Sequence, residues 1–289
     1  MRGDCNGGDW GGRGWRAGPG QPVTGSLQVW IGLFIAALVS HPLLDWFTTF
    51  GTQLLKPFAS TRFALDGIAI VDPVYTFTLM FGLLGGWFLR GHTRAGWPTT
   101  IALVLSTAYL MLGLRINGLA EQEAEHQLAA AGLQGYSVRA YPTMLQLPHR
   151  RVVATGVDDV RVGYVSMWRP CESEWGRAPL FTNANVEAVL ATREGDIFAW
   201  FTGGRLIHRE VADGDSLVVE TVDLRYGYTL DPLDGFWMIR TRFDADGNIV
   251  ERPQRFSNRP QVTRETVGGL LADAFPESCE TTVTIAENR

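Results

Sequence analysis

LQVWIGLFIAALVSHPLLDW, residues 27–46, decides how the rest of this chain is read. From Leu27 to Ser40 it carries no charge, and at 1.5 Å per residue the whole run covers about 30 Å, the hydrocarbon thickness of a bilayer. A membrane-spanning helix is the direct reading. Its end is unusual, because His41 and Asp45 stand four residues apart, on one helical face with β-carbons about 6 Å from each other. Hydrocarbon penalises an ionisable pair that lacks a partner or a task, and an imidazole beside a carboxylate suits a metal ion. Pro42 cannot donate to the carbonyl of Leu38, so broken helix geometry beside His41 is expected, as around a polar cavity at membrane depth. The bland alternative is that His41 and Asp45 mark the helix end among lipid headgroups.

Working outward toward the C-terminus, a polar re-entrant stretch, Thr48–Asp72, precedes a second apolar run, Val74–Leu89. A third, Trp97–Ile116, is free of charge until Arg115, and Trp97 suits an interfacial anchor. Three spans are therefore predicted over residues 27–116, against the alternative of buried helices in a large soluble protein. Toward the N-terminus, residues 1–26 form a Gly-rich tail with too little apolar surface to fold, and disorder is expected there. No secretory signal pattern precedes Leu27.

The composition of the 289 residues, 46% hydrophobic and 19% charged, averages over an apolar first half and an ordinary second half. A net charge of −5 with no clustered basic face excludes a nucleic-acid partner. Cys5, Cys171 and Cys279 contain no CxxC pair and are odd in number, so neither a zinc knuckle nor a disulfide framework follows, and at least one thiol is unpaired within the monomer. With three spans, Arg2, Arg13, Arg16, Arg90 and Arg94 share one side, against Lys56, Arg62 and Arg115 on the other. The tail side is then cytoplasmic, and the C-terminal half periplasmic.

Residues 117–135 read as a connecting helix, rich in Ala, Glu and Gln over Leu119–Leu133, with Gly135 as its C-cap. Residues 136–260 read as a small, mainly antiparallel β-domain, with strand signals at Arg151–Thr155, Val160–Trp168, Ile197–Thr202, Ser216–Tyr228 and Phe236–Phe243. Asp244–Asn248 is a turn with Gly247 at positive φ. Residues 261–289 add a helix over Thr263–Phe275 and a polar tail.

Thr48, Thr49 and Thr52 extend the face of Asp45 if the helix continues. Asp66 and Asp72 bound an apolar stretch, and Asp72 before Pro73 suits an N-cap position. Alternatively Asp72 completes a ligand set with His41 and Asp45, of the type that binds zinc, manganese or iron, with Asp66 as a further ligand or a general base. Three protein ligands with an open position let a bound water ionise and attack an ester or phosphoester. His92, His126, His149 and His208 lack acidic neighbours at ligand spacing. No GxSxG, P-loop or dinucleotide fingerprint is present.

The blocks HPLLDWFTTFGTQLLKPF (41–58) and RFALDGIAIVDPVYT (62–76) resemble the inner-membrane family of metal-dependent hydrolases, some of whose members are described as LexA-binding. YPTMLQ (141–146), RVVAT (151–155) and VDLRYG (222–227) resemble the soluble half of its longer members. The resemblance implies a bacterial inner-membrane hydrolase and carries over His41, Asp45, Asp66 and Asp72 as ligand positions, with Thr49 and Thr52 as hydrogen-bonding groups behind them. It also implies a further membrane segment with a ThrHisSer-type motif, which does not stand before Leu27 and is expected upstream of Met1. The expected function is a divalent-metal hydrolase acting near the bilayer surface, in contact with membrane lipids. The competing expectation is a non-catalytic membrane scaffold or regulatory protein whose β-domain binds a protein partner. A transporter is disfavoured, since no inverted repeat is apparent.

Overall fold

The structure is a computed structural model describing residues 27–144, 147–169, 171–214, 216–259, 263–276 and 278–279. The disorder expected for the Gly-rich tail and the mobility expected for the last residues fall outside the described residues. The chain divides into two compact units, one holding the segment up to His41 with Val74–Thr107, the other Pro42–Pro73 with everything from Ala108 onward.

The smaller unit is helical. α1 (Leu27–Trp46) has the bounds its apolar run predicted, and none of its residues is buried. An apolar helix exposed on every face is matched to lipid rather than to water. α2 (Pro73–Phe88) starts on its proline, the first helical position where a missing N–H costs nothing. α3 (Trp97–Ala130) is one helix of 34 residues. Among the described residues two helices, α1 and α3, are long and apolar enough to cross a membrane, where three spans were expected. α2 has 16 residues and rises only about 24 Å, short of the hydrocarbon thickness. α2 and α3 approach closely because small residues meet: a Cβ on Gly82 would strike the Ala102 methyl, and Thr99 Oγ1 donates to the Gly82 carbonyl at 3.3 Å.

The connecting helix expected at 117–135 is instead the C-terminal part of α3, without a break. Its end is a Schellman motif: Leu133 N–H reaches Leu128 O at 2.9 Å and Gly132 N–H reaches Ala129 O at 3.0 Å, with Gly132 at φ 77°. Gly132 therefore closes the helix, three residues ahead of the expected Gly135. The stretch is not wholly solvated either, since Ala120, Ala124 and Leu128 pack on Val138, Ala140, Val152, Ala154 and Val165.

Two four-stranded antiparallel meanders follow. The first runs β1 (Ser137–Pro142), β2 (His149–Thr155), β3 (Asp159–Ser166), β4 (Gly176–Pro179); after α4 (Ala184–Ala191) and α5 (Arg193–Thr202), the second runs β5 (Leu206–Asp213), β6 (Ser216–Asp223), β7 (Trp237–Phe243), β8 (Gln254–Ser257). The period-2 alternation feeds two cores at once. Val153, Val160, Val162, Ile207, Val222 and Met238 meet between the sheets. Val219, Ile239 and Phe243 face the other way, against Val186, Val189 and Phe198 of α4 and α5. The layers are thus helix, sheet, sheet, helices.

Ile197–Thr202, predicted as a strand, is helical. Thr192 caps α5, its hydroxyl accepting from Gly195 N–H at 3.0 Å, and Glu194 and Asp196 in the first turn complement the helix dipole. The Asp244–Asn248 turn forms as expected, with Gly247 at φ 81°. α6 (Arg264–Ala274) is one residue shorter at each end than the predicted helix. Cys171 and Cys279 form a disulfide that the cysteine spacing did not announce, closing a span of 108 residues. Beside it Ser166 Oγ donates to Ala274 O at 2.6 Å and Trp168 packs edge-on against Phe275 at 5.3 Å.

Candidate functional site

The segment between α1 and α2 is where the site is built. α1 stops at Trp46, and Thr48 Oγ1 turns back to donate to Asp45 O at 2.8 Å. Thr48, Thr49 and Thr52 therefore do not extend the helical face of Asp45. Instead the segment crosses itself: Thr52 and Phe63 exchange backbone hydrogen bonds of 2.9 and 2.8 Å, and Gly67 and Ile68 donate to Phe47 O. This loop brings Thr49 beside Asp66.

Asp66 has φ 53°, the left-handed region that is uncommon outside glycine and that structures keep where surrounding contacts impose it. The next residue supplies those contacts. A Cβ on Gly67 would come within 2.6 Å of Leu114, and one on Gly113 of α3 within 2.5 Å of the Gly67 carbonyl, so loop and helix touch backbone to backbone. Arg150 of β2, fully buried, fastens the junction by donating from one Nη2 to Gly67 O at 2.8 Å and to Gly113 O at 3.0 Å.

Electrostatics single out the same position. Burial pushes the Asp66 carboxyl above the ordinary aspartate range, opposed by Thr49 and by the positive charges of Arg205 and Arg225. The buried Thr49 hydroxyl has no partner of full hydrogen-bond geometry, though it is near enough to favour the carboxylate. Tyr141, 1% exposed, has an unpartnered hydroxyl that burial pushes upward, with the Arg205 guanidinium 6.0 Å from its ring. Arg150 is brought down to about 10 by burial, while Tyr109, Asp66 and Asp72 pull it back. Its Nε and Nη1 make no hydrogen bond. Asp66 and Asp72 thus both act on one buried guanidinium, and the Asp72 carboxylate also accepts from the Tyr109 hydroxyl at 2.9 Å.

Arg225 holds the other side of the loop. It pairs with Asp223 at 2.8 Å and donates to Thr49 O at 3.3 Å and Phe201 O at 2.9 Å. Burial works against its charge, yet Asp223 more than offsets this and holds its pKa above the usual arginine value. Arg62 stacks against Phe50, Trp200 and Phe201 and also donates to Phe201 O.

Of the positions named from sequence, Asp45, Asp66 and Asp72 lie in the larger unit and His41, exposed, at the end of the smaller one. No group of three or more His, Cys, Asp or Glu among the described residues is disposed to hold a metal ion. Thr49 adjoins Asp66, whereas Thr52 pairs with Phe63 through its backbone. His149 is buried and stacked on Tyr164 at 5.3 Å, and His208 meets the Thr221 hydroxyl at 2.9 Å.

Sequence reasoning missed Arg150, Tyr141, Arg205 and Arg225. Arg150 had a visible signal, since ArgArgValValAla at 150–154 places a charge on each face of a strand otherwise apolar on both. The other three lie in or beside strands where nothing local marks them as buried.

No curated protein and no solved structure matches the chain. Residues 12–120, which hold α1, the Asp66 loop, α2 and most of α3, match the model of the YdjM inner membrane protein family, in keeping with a protein of the inner membrane.

Proposed function

We propose that this chain is an inner-membrane hydrolase in which Asp66 exchanges a proton with water or with the leaving group of an ester or phosphoester near the bilayer surface. The observation that carries the reading is Asp66 itself: a partly buried carboxyl in left-handed backbone, held above the ordinary aspartate range by burial despite Thr49, Arg205 and Arg225. Carboxyls made less acidic by burial serve as general acids and bases, and strained backbone gathers at such sites. Arg205 supplies positive charge near the carboxyl, as an oxyanion would require, whereas the charge of Arg225 is met by Asp223. His41, Asp45 and Asp72 are the proposed holders of a divalent metal, which when bound would supply an ionised water. That part draws on the sequence and on the resemblance, not on converging donors.

The test uses the full chain in detergent or nanodiscs, assayed on p-nitrophenyl acyl esters and bis(p-nitrophenyl) phosphate, with bound metal quantified by mass spectrometry. Asp66→Asn is expected to lower turnover by about 10²–10⁴ without loss of stability, because the amide removes a carboxylate that burial disfavours. Activity in the wild-type protein that Asp66→Asn leaves intact overturns the role of Asp66. Absence of stoichiometric metal, with none lost on His41→Ala, overturns the metal.

The second reading is a non-catalytic scaffold whose β-domain binds a protein partner. A soluble partner retained by wild-type protein and by Asp66→Asn alike, with no hydrolysis by either, would establish it instead.

A further inference from the structure

The larger unit contains a cavity of about 640 Å³ that shares Thr49 with the Asp66 site and otherwise lies outside the proton-transfer reading. Its walls are aromatic and aliphatic, including Phe50, Ile70, Phe201, Trp237, Met238 and Phe256. That size and lining suit a ligand whose bulk is hydrocarbon. Charged groups are few: Arg255 and Arg259 line it, Glu194 is the one acid among the described lining residues, and Thr49, Tyr226 and Ser257 add neutral polar groups. Both arginines are exposed, and Arg259 lies over the Trp237 ring at 4.5 Å, where its charge sits at the edge of the aromatic wall.

The chain itself says where such a ligand comes from. Phe50 stands four residues beyond the end of α1, and Ala69, Ile70 and Val71 come directly before α2, so part of the wall is built from chain leaving and re-entering apolar helices. If α1 crosses the bilayer, its end at Trp46 lies near the headgroups, four residues from Phe50. A soluble metabolite has no reason to meet an aromatic cavity there, whereas a bilayer lipid needs only to lift one chain.

We infer that this cavity takes one acyl chain of an anionic phospholipid, with the phosphate of its head group held by Arg255 and Arg259. The arginines select for charge and the cavity selects for hydrocarbon. The inference is independent of whether Asp66 performs chemistry, since it concerns binding alone.

The experiment is photo-crosslinking of the full chain in detergent with phosphatidylglycerol bearing a diazirine on one acyl chain, and with the matching phosphatidylcholine. Peptide mapping is expected to find label on the cavity wall, at Ile70, Trp237 or Phe256, favouring phosphatidylglycerol on the order of tenfold. In Arg255→Gln/Arg259→Gln, both surface changes, that preference is expected to vanish while circular dichroism and melting stay unchanged. Label confined to α1, α2 and the apolar part of α3 overturns the inference, as does wall labelling indifferent to head group or to the double substitution. Displacement of the label by equimolar free palmitate overturns the phospholipid and leaves a fatty-acid site.

Discussion

His149 shows how much a single buried side chain can set. Burial, and then the charge of neighbouring Arg150, hold its imidazole down at about 4. The unfolded chain takes up a proton near 6.5 that the folded chain refuses, so stability is lost as pH falls from about 6.5 to 4, by on the order of 3 kcal/mol. His208, lowered to about 4 by burial, acts in the same direction. Chemical denaturation of the full chain at pH 7 and pH 4.5 is expected to show this loss, and His149→Gln to reduce it. Asp66 has the opposite sign. Its raised carboxyl costs stability above the unfolded aspartate value, so Asp66→Asn is expected to be neutral or stabilising at pH 7, measured by the same denaturation. At this scale the sequence was partly legible: Asp66 was visible between its apolar neighbours, but Arg150 and Tyr141, which burial makes important, are distant in the chain. Only the packing of loop 47–68 on β2 and α3 brings them near.

Among the elements, the contact between the Asp66 loop and α3 is the most sensitive. Replacing Gly113 by Ala would ordinarily favour a helix by about 1 kcal/mol. Here the new methyl would lie 2.5 Å from the Gly67 carbonyl, and overpacking of that kind costs about 1–3 kcal/mol. Gly113→Ala is therefore expected to lower the melting temperature of the full chain; an unchanged melting temperature would show that the loop can give way. The helices were the more legible elements. α1 could be bounded from sequence because a lipid-facing helix needs only length and apolarity, and Pro73 fixed the start of α2. α5 misled because IleAlaPheTrp-type content, here Ile197, Phe198, Trp200 and Phe201, reads as strand when the cap at Thr192 is overlooked. β1, β4, β5 and β8 were missed: HisArgGlu in β5 and the exposed β8 lack apolar alternation, β4 has only four residues, and β1 and β5 are held by pairing with β2 and β6. The Ala120, Ala124, Leu128 stripe is too slight to announce that it covers a sheet.

For the whole molecule, the Cys171–Cys279 bond is the informative feature, and nothing in the spacing of three scattered cysteines could have disclosed it. With two spans in place of three, the charge count no longer puts the β-sheet unit in the periplasm; because persistent disulfides belong to oxidising compartments, we propose that side on the strength of the bridge alone. Asp246→Cys, in the exposed turn after β7, is expected to react with a membrane-impermeant maleimide in spheroplasts; labelling only after lysis would put that unit in the cytoplasm. Cys171→Ser is expected to lose about 2–4 kcal/mol of stability, read from denaturant midpoints, as for a bridge that restrains a long loop in the unfolded chain. The bridge has one more consequence. It ties the strand-rich middle of the protein into a covalent ring, so a protease that nicks the backbone once anywhere between residues 172 and 278 releases nothing. The two pieces should travel as one band on a gel run without thiol, and separate only when mercaptoethanol is added.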